Sequence, residues 1–429
     1  EGSRMKLGTN LRRLRLQRGL TQRQLAEPAY TDAYVSTIEA GRRQPSRGAL
    51  EHFAGRLDVT YEELVSGIDP GVPAQLELDL HEARKMLAQG HLDSARASYE
   101  RIRSTTARFE LRRLETLAEW GLGMCDERAG AFEPAIEHYD RVQDILGAKD
   151  LIAGVQALTS KARVLLMMGD VRFAIHILED RLQRLVIDGL ADPDSLVRLH
   201  ATLVAAYFEA GLYKMARASA EEALRLAPKA TDLENLANMN LNVARVSLQK
   251  GDIPQTHDFL GRAELLFRQL DLTDQLSRAH FARGYVFSRQ GDLEGAREEF
   301  ETARRMLDSV DSPIEAARVT TELARVARIE GDLDQARAML QTSITALRDS
   351  DPSELGQAHR ELGLCLAPSD DVGAEKSFRH AIELFDRSDE PVEIAATYRV
   401  LGELFEERGD IEASCESYRT GLQALERAL

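Results

Sequence analysis

Two clusters of side chains in this chain could do chemistry, and in both the chemistry is recognition rather than bond making. Between Leu11 and Pro45 the sequence gathers Gln22, Arg23, Thr31, Ser36, Thr37, Arg42 and Arg43 around short apolar runs. From Met5 to Leu50 there are nine Lys or Arg against three Asp or Glu, whereas residues 68–429 carry 44 basic and 63 acidic side chains. A basic end on an acidic body suits a polyanion-binding head, because neutralising phosphates supplies much of the affinity for nucleic acid. The second cluster is a stripe of Asn238, Asn242, Arg245 and Gln249 at helical i, i+4, i+7, i+11 spacing. Asn can pair both the donor and the acceptor of an extended peptide backbone, and Arg can grip a carboxylate with two parallel bonds.

Nothing in the chain reads as a catalytic centre. No Gly-rich phosphate loop, HExxH, GxSxG or metal-spaced His group occurs, so neither a metal nor a cofactor is expected. The ten histidines are scattered; His81, His138, His176, His280 and His359 fall on helices, in packed or surface roles. Glu403, Glu406 and Glu407 read as a solvated face rather than an acid–base pair. Cys125, Cys365 and Cys415 lack any CxxC or metal spacing and read as buried helix residues of a reduced cytosol. No apolar run approaches the ~20 residues needed to span a bilayer, and no signal peptide opens the chain, so no membrane association and a cytoplasmic location are expected. Glu1 to Arg4 read as an expression scar before a native Met5.

The elements that position these groups are written in a repeat. A Gly followed five residues later by a small residue recurs at Gly90, Gly130, Gly169, Gly211, Gly251, Gly291, Gly331 and Gly409, with Ser369 filling the one gap. The spacings run from 38 to 42 residues over nine units. Gly takes a left-handed C-cap cheaply, and a small residue on the next helix lets the two helices approach closely. Each such hairpin leaves an apolar face for its neighbour to cover, so a stack must form. Counting back from the turns sets Arg163, Arg278, Tyr285, Arg318, Glu322, Arg325 and Arg328 in register with the Asn238–Gln249 stripe. Asn235 and Asn240 fall elsewhere on that helix and read as surface. The units at Gly211, Thr256 and Ser369 depart most from the pattern. Trp120 reads as part of an early repeat interface.

The repeat resembles the tetratricopeptide repeat from about Gln75 onward, with a period longer than the usual ~34 residues and hence longer helices. The long-helix form is similar to that of peptide-sensing (RRNPP-type) quorum-sensing regulators. In such arrays the first helix of each hairpin lines a concave groove, which implies that Asn238, Asn242, Arg245, Gln249, Arg278, Tyr285, Arg318 and Arg325 face a short peptide or protein segment.

In the basic end, Thr9–Asn10 can cap a first helix that Gly19 stops. Thr21 can cap a second over Gln22–Glu27, ended by Pro28, and Thr31 or Asp32 a third that runs to Ala40. Leu11, Leu14, Leu25, Ala26, Val35, Ile38, Leu50, Phe53, Ala54 and Leu57 supply a core, and Leu64 with Val65 closes a fifth helix. Gly19-Leu20-Thr21-Gln22, Leu25-Ala26, Ile38-Glu39-Ala40-Gly41-Arg42 and Pro45 resemble the Cro/C1-type (XRE-like) helix-turn-helix family over about Met5 to Gly67. That resemblance implies double-stranded DNA as partner. Gln22 would hold a phosphate and brace the recognition helix, and Arg23, Arg42 and Arg43 would grip the backbone. Thr31, Asp32, Ala33, Tyr34, Ser36 and Thr37 would lie at or in the major groove, and Arg15 with Glu39 would form a structural ion pair. The segment Pro28-Ala29-Tyr30 is a residue shorter than the family norm, and Asp32 puts a carboxylate near phosphates.

The expected architecture is all-α: a small five-helix helix-turn-helix domain (5–67), a linker (68–74) and a right-handed tetratricopeptide-repeat superhelix of about nine helical hairpins (75–429). The expected function is a non-enzymatic, DNA-binding transcriptional regulator that senses a short peptide and acts as a homodimer, because one small head buries too little DNA for tight specific binding. The alternative is a scaffold whose repeats bind a protein partner, with DNA binding secondary.

Overall fold

The computed structural model describes residues 2–69, 71–147, 150–190, 192–348, 352–388 and 390–426. Glu1, the first of the four residues read as an expression scar, lies outside them. Every regular element among the described residues is helical. Contacts between Cα atoms divide the chain into two compact units, Glu1–Ala83 with Ala97–Ala118, and Arg84–Arg96 with Glu119–Leu429.

The first unit opens with α1 (Gly2–Gln17), α2 (Gln22–Ala26), α3 (Asp32–Glu39), α4 (Arg47–Leu57) and α5 (Tyr61–Ser66). Caps set their boundaries. Thr21 and Gln24 form a reciprocal capping box on α2, and the side chains of Thr31, Ser46 and Thr60 accept from the third backbone amide of α3, α4 and α5. All ten expected core residues are buried. Two expectations fail. Helix α1 runs straight through Thr9 and Asn10, so no cap forms there. Its Gly8 lies so close to the end of α3 that a Cβ would stand 2.3 Å from the Ile38 carbonyl oxygen, and packing, not a capping side chain, fixes this turn. Leu64 alone closes α5; Val65 is 40% exposed because only one residue of that short helix faces the core.

The remaining helices follow as α6 (Gly71–Ala88), α7 (Leu92–Phe109), α8 (Arg112–Arg128), α9 (Phe132–Leu146), α10 (Val155–Met167), α11 (Val171–Ile187), α12 (Pro193–Glu209) and α13 (Tyr213–Leu226). After them come α14 (Leu233–Gln249), α15 (Ile253–Gln269), α16 (Thr273–Gln290), α17 (Leu293–Ser309), α18 (Pro313–Ile329), α19 (Leu333–Leu347), α20 (Pro352–Leu366), α21 (Asp371–Arg387), α22 (Pro391–Glu407) and α23 (Ile411–Glu426). Helix α6 starts inside the segment read as a linker.

The repeat pattern explains the stacking. The eight turn glycines take φ between 70 and 91°. Their small partners Ala95, Ala135, Ala174, Ala216, Thr256, Ala296, Ala336, Ala374 and Ser414 are all buried. An aromatic ring four residues further packs on a glycine of the preceding helix: Tyr139 on Gly123, Phe300 on Gly284, Phe378 on Gly363 and Tyr418 on Gly402. A Cβ on any of these glycines would come within 2.5–2.7 Å of the ring. In the Ser369 unit Gly363 precedes Ala374 by eleven residues, against twelve from Gly123 to Ala135. The connection is one residue shorter, none of residues 367–370 takes a positive φ, and glycine is not required there. Successive first helices also touch, α10 on α12, α12 on α14 and α18 on α20. Cys125 and Cys365 are buried, but Cys415 is exposed, because Ser414, Ser417 and Gly421 take the packed side of α23.

Candidate DNA face and ligand groove

In the head, one carboxylate ties three segments together. Glu39, at the end of α3, accepts from Arg15 Nε at 2.6 Å and Nη2 at 3.0 Å, and from Gln22 Nε2 at 2.9 Å. Arg15 also donates to the Leu20 carbonyl at 2.8 Å, so the turn between α1 and α2 joins the network. The hydrogen bond to Glu39 raises the Arg15 pKa above its ordinary value. The Gln22 side chain thus braces α3.

The outer side of α3 presents Asp32, Ala33 and Ser36, all exposed, with Thr31 beside them. Thr31 caps the helix and Asp32 Oδ1 accepts from the Ala33 amide at 2.9 Å. Arg42 and Arg43 stand exposed just past the helix; Arg23 is exposed and paired with Glu27 at 2.8 Å. Two expected readers are partly withdrawn. Tyr34 is half-buried, stacked on Tyr30 at 5.3 Å with Phe53 beyond, and the Arg43 guanidinium lies 4.7 Å above its ring. Thr37 turns its hydroxyl to the Tyr34 carbonyl at 2.8 Å.

In the second unit, residues from α10 to α22 enclose a cavity of about 1150 Å³. All eight residues expected to line a groove stand on its wall: Asn238, Asn242, Arg245, Gln249, Arg278, Tyr285, Arg318 and Arg325. Asn242 Nδ2 donates across to the Ala201 carbonyl on α12 at 3.0 Å, while Asn238 Nδ2 turns back to the Glu234 carbonyl at 2.9 Å. Arg245 meets Glu209 at 2.7 Å and covers the Phe208 ring at 4.8 Å. Arg325 bridges Glu322 and Glu361, each at 2.9 Å. Burial raises the Glu322 carboxyl above its ordinary value against the pull of Arg325. Asn235 and Asn240 are not surface residues. They are 4% and 6% exposed, and their amides donate to the Asp194 and Leu236 carbonyls, because α14 is covered by α12 on one side and α15 on the other.

Residues 6–66 match the family described as a helix-turn-helix domain. Over 64 residues the chain is 39% identical to the uncharacterized HTH-type transcriptional regulator y4dJ of Sinorhizobium fredii (strain NBRC 101917 / NGR234), covering 15% of this chain and 83% of that protein. The chain belongs to the helix-turn-helix transcriptional regulators. Beyond the head, the regulator is similar to a Rap protein crystallised with competence and sporulation factor, at 15% identity and a TM-score of 0.61, over 83% of this chain and 98% of that one. It is also similar to the apo quorum sensor NprR from B. thuringiensis, at 15% identity and a TM-score of 0.54, over 82% and 99% of the two chains. These likenesses establish the fold of the repeat array.

The regulator's groove also holds residues that sequence reasoning passed over. Its wall carries eight arginines against six carboxylates, in a chain whose net charge is −16. Arg198 and Arg360 are among those arginines; each sits thirteen or fewer residues before a hairpin turn, where the repeat register could have found it. Among the described residues no group of three or more His, Cys, Asp or Glu side chains could hold a metal ion, and no helix is long and apolar enough to cross a membrane.

Proposed function

We propose that this regulator binds operator DNA through α3 and its flanking arginines, and that a short peptide in the repeat groove modulates that binding. One observation carries the reading. Amides and guanidiniums chosen from widely separated repeats converge on a single cavity large enough for several residues of extended chain, and its lining is cation-rich inside an acidic body. Asn242 and Arg245 offer backbone and carboxylate recognition side by side. NprR, which shares the fold, is named as a quorum sensor. In the head, Ser36, Ala33 and Asp32 would meet base edges, while Arg42, Arg43 and Arg23 would hold phosphates. The regulator would act in the cytoplasm as a homodimer, matching two half-sites about one turn of DNA apart.

The test is genome-wide binding of the tagged protein in its host beside the Arg42→Ala/Arg43→Ala variant. Discrete peaks sharing a palindrome and lost in the variant are expected. Peaks no higher than the variant's background in several growth phases would refute the reading. Sedimentation of the purified protein checks the dimer.

A further inference from the structure

We infer that Arg198 is a dedicated carboxylate anchor in the groove, so that the regulator selects ligands carrying a carboxylate at the position facing α12. The inference rests on the peptide-groove reading and sharpens it. Counting thirteen residues back from the turns at Gly211, Gly251, Gly291 and Gly331 gives Arg198, Asn238, Arg278 and Arg318, one on each of α12, α14, α16 and α18, all on the cavity wall. Three of the four make a side-chain hydrogen bond within the chain itself. Asn238 donates to its own helix, Arg278 meets Asp274 at 3.3 Å, and Arg318 meets Glu315 at 3.1 Å. Arg198 differs. Its side chain is only 20% exposed, yet its nearest carboxylate, Asp232, stands 3.7 Å away. Among the described residues its guanidinium makes no hydrogen bond.

The nearby carboxylates have other duties. Asp232 caps α14 by accepting from the Asn235 amide through Oδ1 at 3.0 Å and leaves only Oδ2 in a loose ion pair with Arg198. Glu234 is paired with Arg84 at 2.5 Å, and Glu127 with Arg163 at 2.6 Å. Burial, with Arg163 and Arg84 nearby, pulls the Arg198 pKa below its ordinary value, but an arginine stays charged. A guanidinium in this position turns donors that make no hydrogen bond within the chain toward the cavity, in a half-desolvated site where one loose ion pair offsets little of the desolvation cost. An incoming carboxylate removes that cost by taking two parallel bonds, and the planar fork discriminates it from an isosteric amide, which brings one acceptor and no charge. The carboxylate can come from an Asp or Glu side chain or from a free C-terminus.

A synthetic heptapeptide library, retained on the full-length protein, separates these cases. It is made in four arms: Asp/Glu-containing or with Asn/Gln in their place, and with a free or an amidated C-terminus. Enrichment of one carboxylate-bearing arm about tenfold or more over its amide counterpart is expected, corresponding to one charge-assisted pair. That preference disappears in Arg198→Gln and survives, weakened, in Arg198→Lys. The arm that is enriched identifies the source of the carboxylate. Equal retention of amide peptides, or a preference that persists in Arg198→Gln, overturns the anchor while leaving the groove a peptide site. Retention of no peptide by the wild type overturns the groove reading and the anchor together. A ligand-free measurement is independent of the library: Arg198→Gln melts at or above the wild-type Tm, whereas Arg163→Gln, which strands Glu127, melts below it. An equal loss of Tm in both variants would make Arg198 a structural residue and end the proposal.

Discussion

In the head, the arginine that holds the fold and the arginines proposed to meet DNA are different residues. Arg15 is buried against Glu39, while Arg42 and Arg43 stand exposed beyond α3. In the groove the fold-holding role and the proposed ligand-binding role fall on the same side chains. Arg245, Arg325 and Arg163 line the cavity, and each also ties its helix to a carboxylate of a hairpin 36 residues away in sequence, Glu209, Glu361 or Glu127. A helix-turn-helix head can separate the tasks because a short helix has an inner and an outer side. A repeat groove is walled by first helices that must also bind each other, so one side chain serves both. On the proposed roles, ligand recognition and array stability are therefore coupled throughout the groove, whereas in the head the coupling is confined to Gln22, bound to Glu39, and Arg43, which covers Tyr34.

Removing the buried acid of the head should have the largest effect. Glu39→Ala leaves the buried Arg15 charge without its carboxylate, with only the Leu20 carbonyl as acceptor, and frees Gln22, costing about 3–5 kcal/mol, the range for breaking a buried pair; chemical denaturation followed at the head's transition checks it. Arg163→Gln probes the groove equivalent. Burial pushes the Glu127 carboxyl up, but Arg163 and the Tyr139 hydroxyl outweigh it and hold the group below its ordinary value. Such a depressed carboxyl stabilises the fold above its unfolded value, and the contribution is lost as pH falls through the folded one. Without Arg163, burial should raise the carboxyl instead. The variant should lose about 3 kcal/mol at neutral pH, at the low end for a buried pair because Arg163 keeps 39% exposure. The deficit should shrink as the pH falls, first through the raised value of the variant's folded carboxyl and then from the unfolded value of about 4 down through the wild type's depressed one. Melting curves at neutral and acid pH that stay equally far apart would show that Glu127 is not the group involved.

Two glycines sharpen the contrast between the scaffolds. Gly8→Ala drives a Cβ to 2.3 Å from a backbone oxygen, and Gly123→Ala to 2.5 Å from the Tyr139 ring. A ring can shift more easily than a backbone carbonyl, so of the about 1–3 kcal/mol typical of overpacking, Gly8→Ala should take the upper end and Gly123→Ala the lower. Denaturation midpoints of the two variants decide the order. The smallest stability effect belongs to Arg42→Ala, within about 0.5 kcal/mol as for other surface substitutions; Arg43→Ala also removes the contact over Tyr34 and should cost about 0.5–1 kcal/mol. Each should nonetheless lower the salt dependence of operator binding by about one unit of slope, read from binding curves at several salt concentrations.

The helical fold, the hairpin period and the caps of α2 and α3 were legible because each depends on local rules. A left-handed turn demands glycine, a short hydroxyl satisfies a free amide, and close helices demand small residues. The same register arithmetic that aligned Asn238 with Arg278 and Arg318 marked their row of the cavity wall, because side chains one repeat apart occupy equivalent positions. It did not extend to Tyr34, whose stacking on Tyr30 depends on how α3 meets Phe53, nor to Asn235 and Asn240, which are buried by helices far away in sequence. Nor could it tell Arg198 from Arg278. Both are arginines at the same register position, and only the packing of α10, α12 and α14 distributes the nearby carboxylates so that one guanidinium is hydrogen-bonded to its carboxylate and the other only loosely paired. Local geometry is fixed by residue type and spacing; which charge remains uncompensated is a property of the assembled neighbourhood, because Coulomb and desolvation energies depend on distances that no single repeat contains.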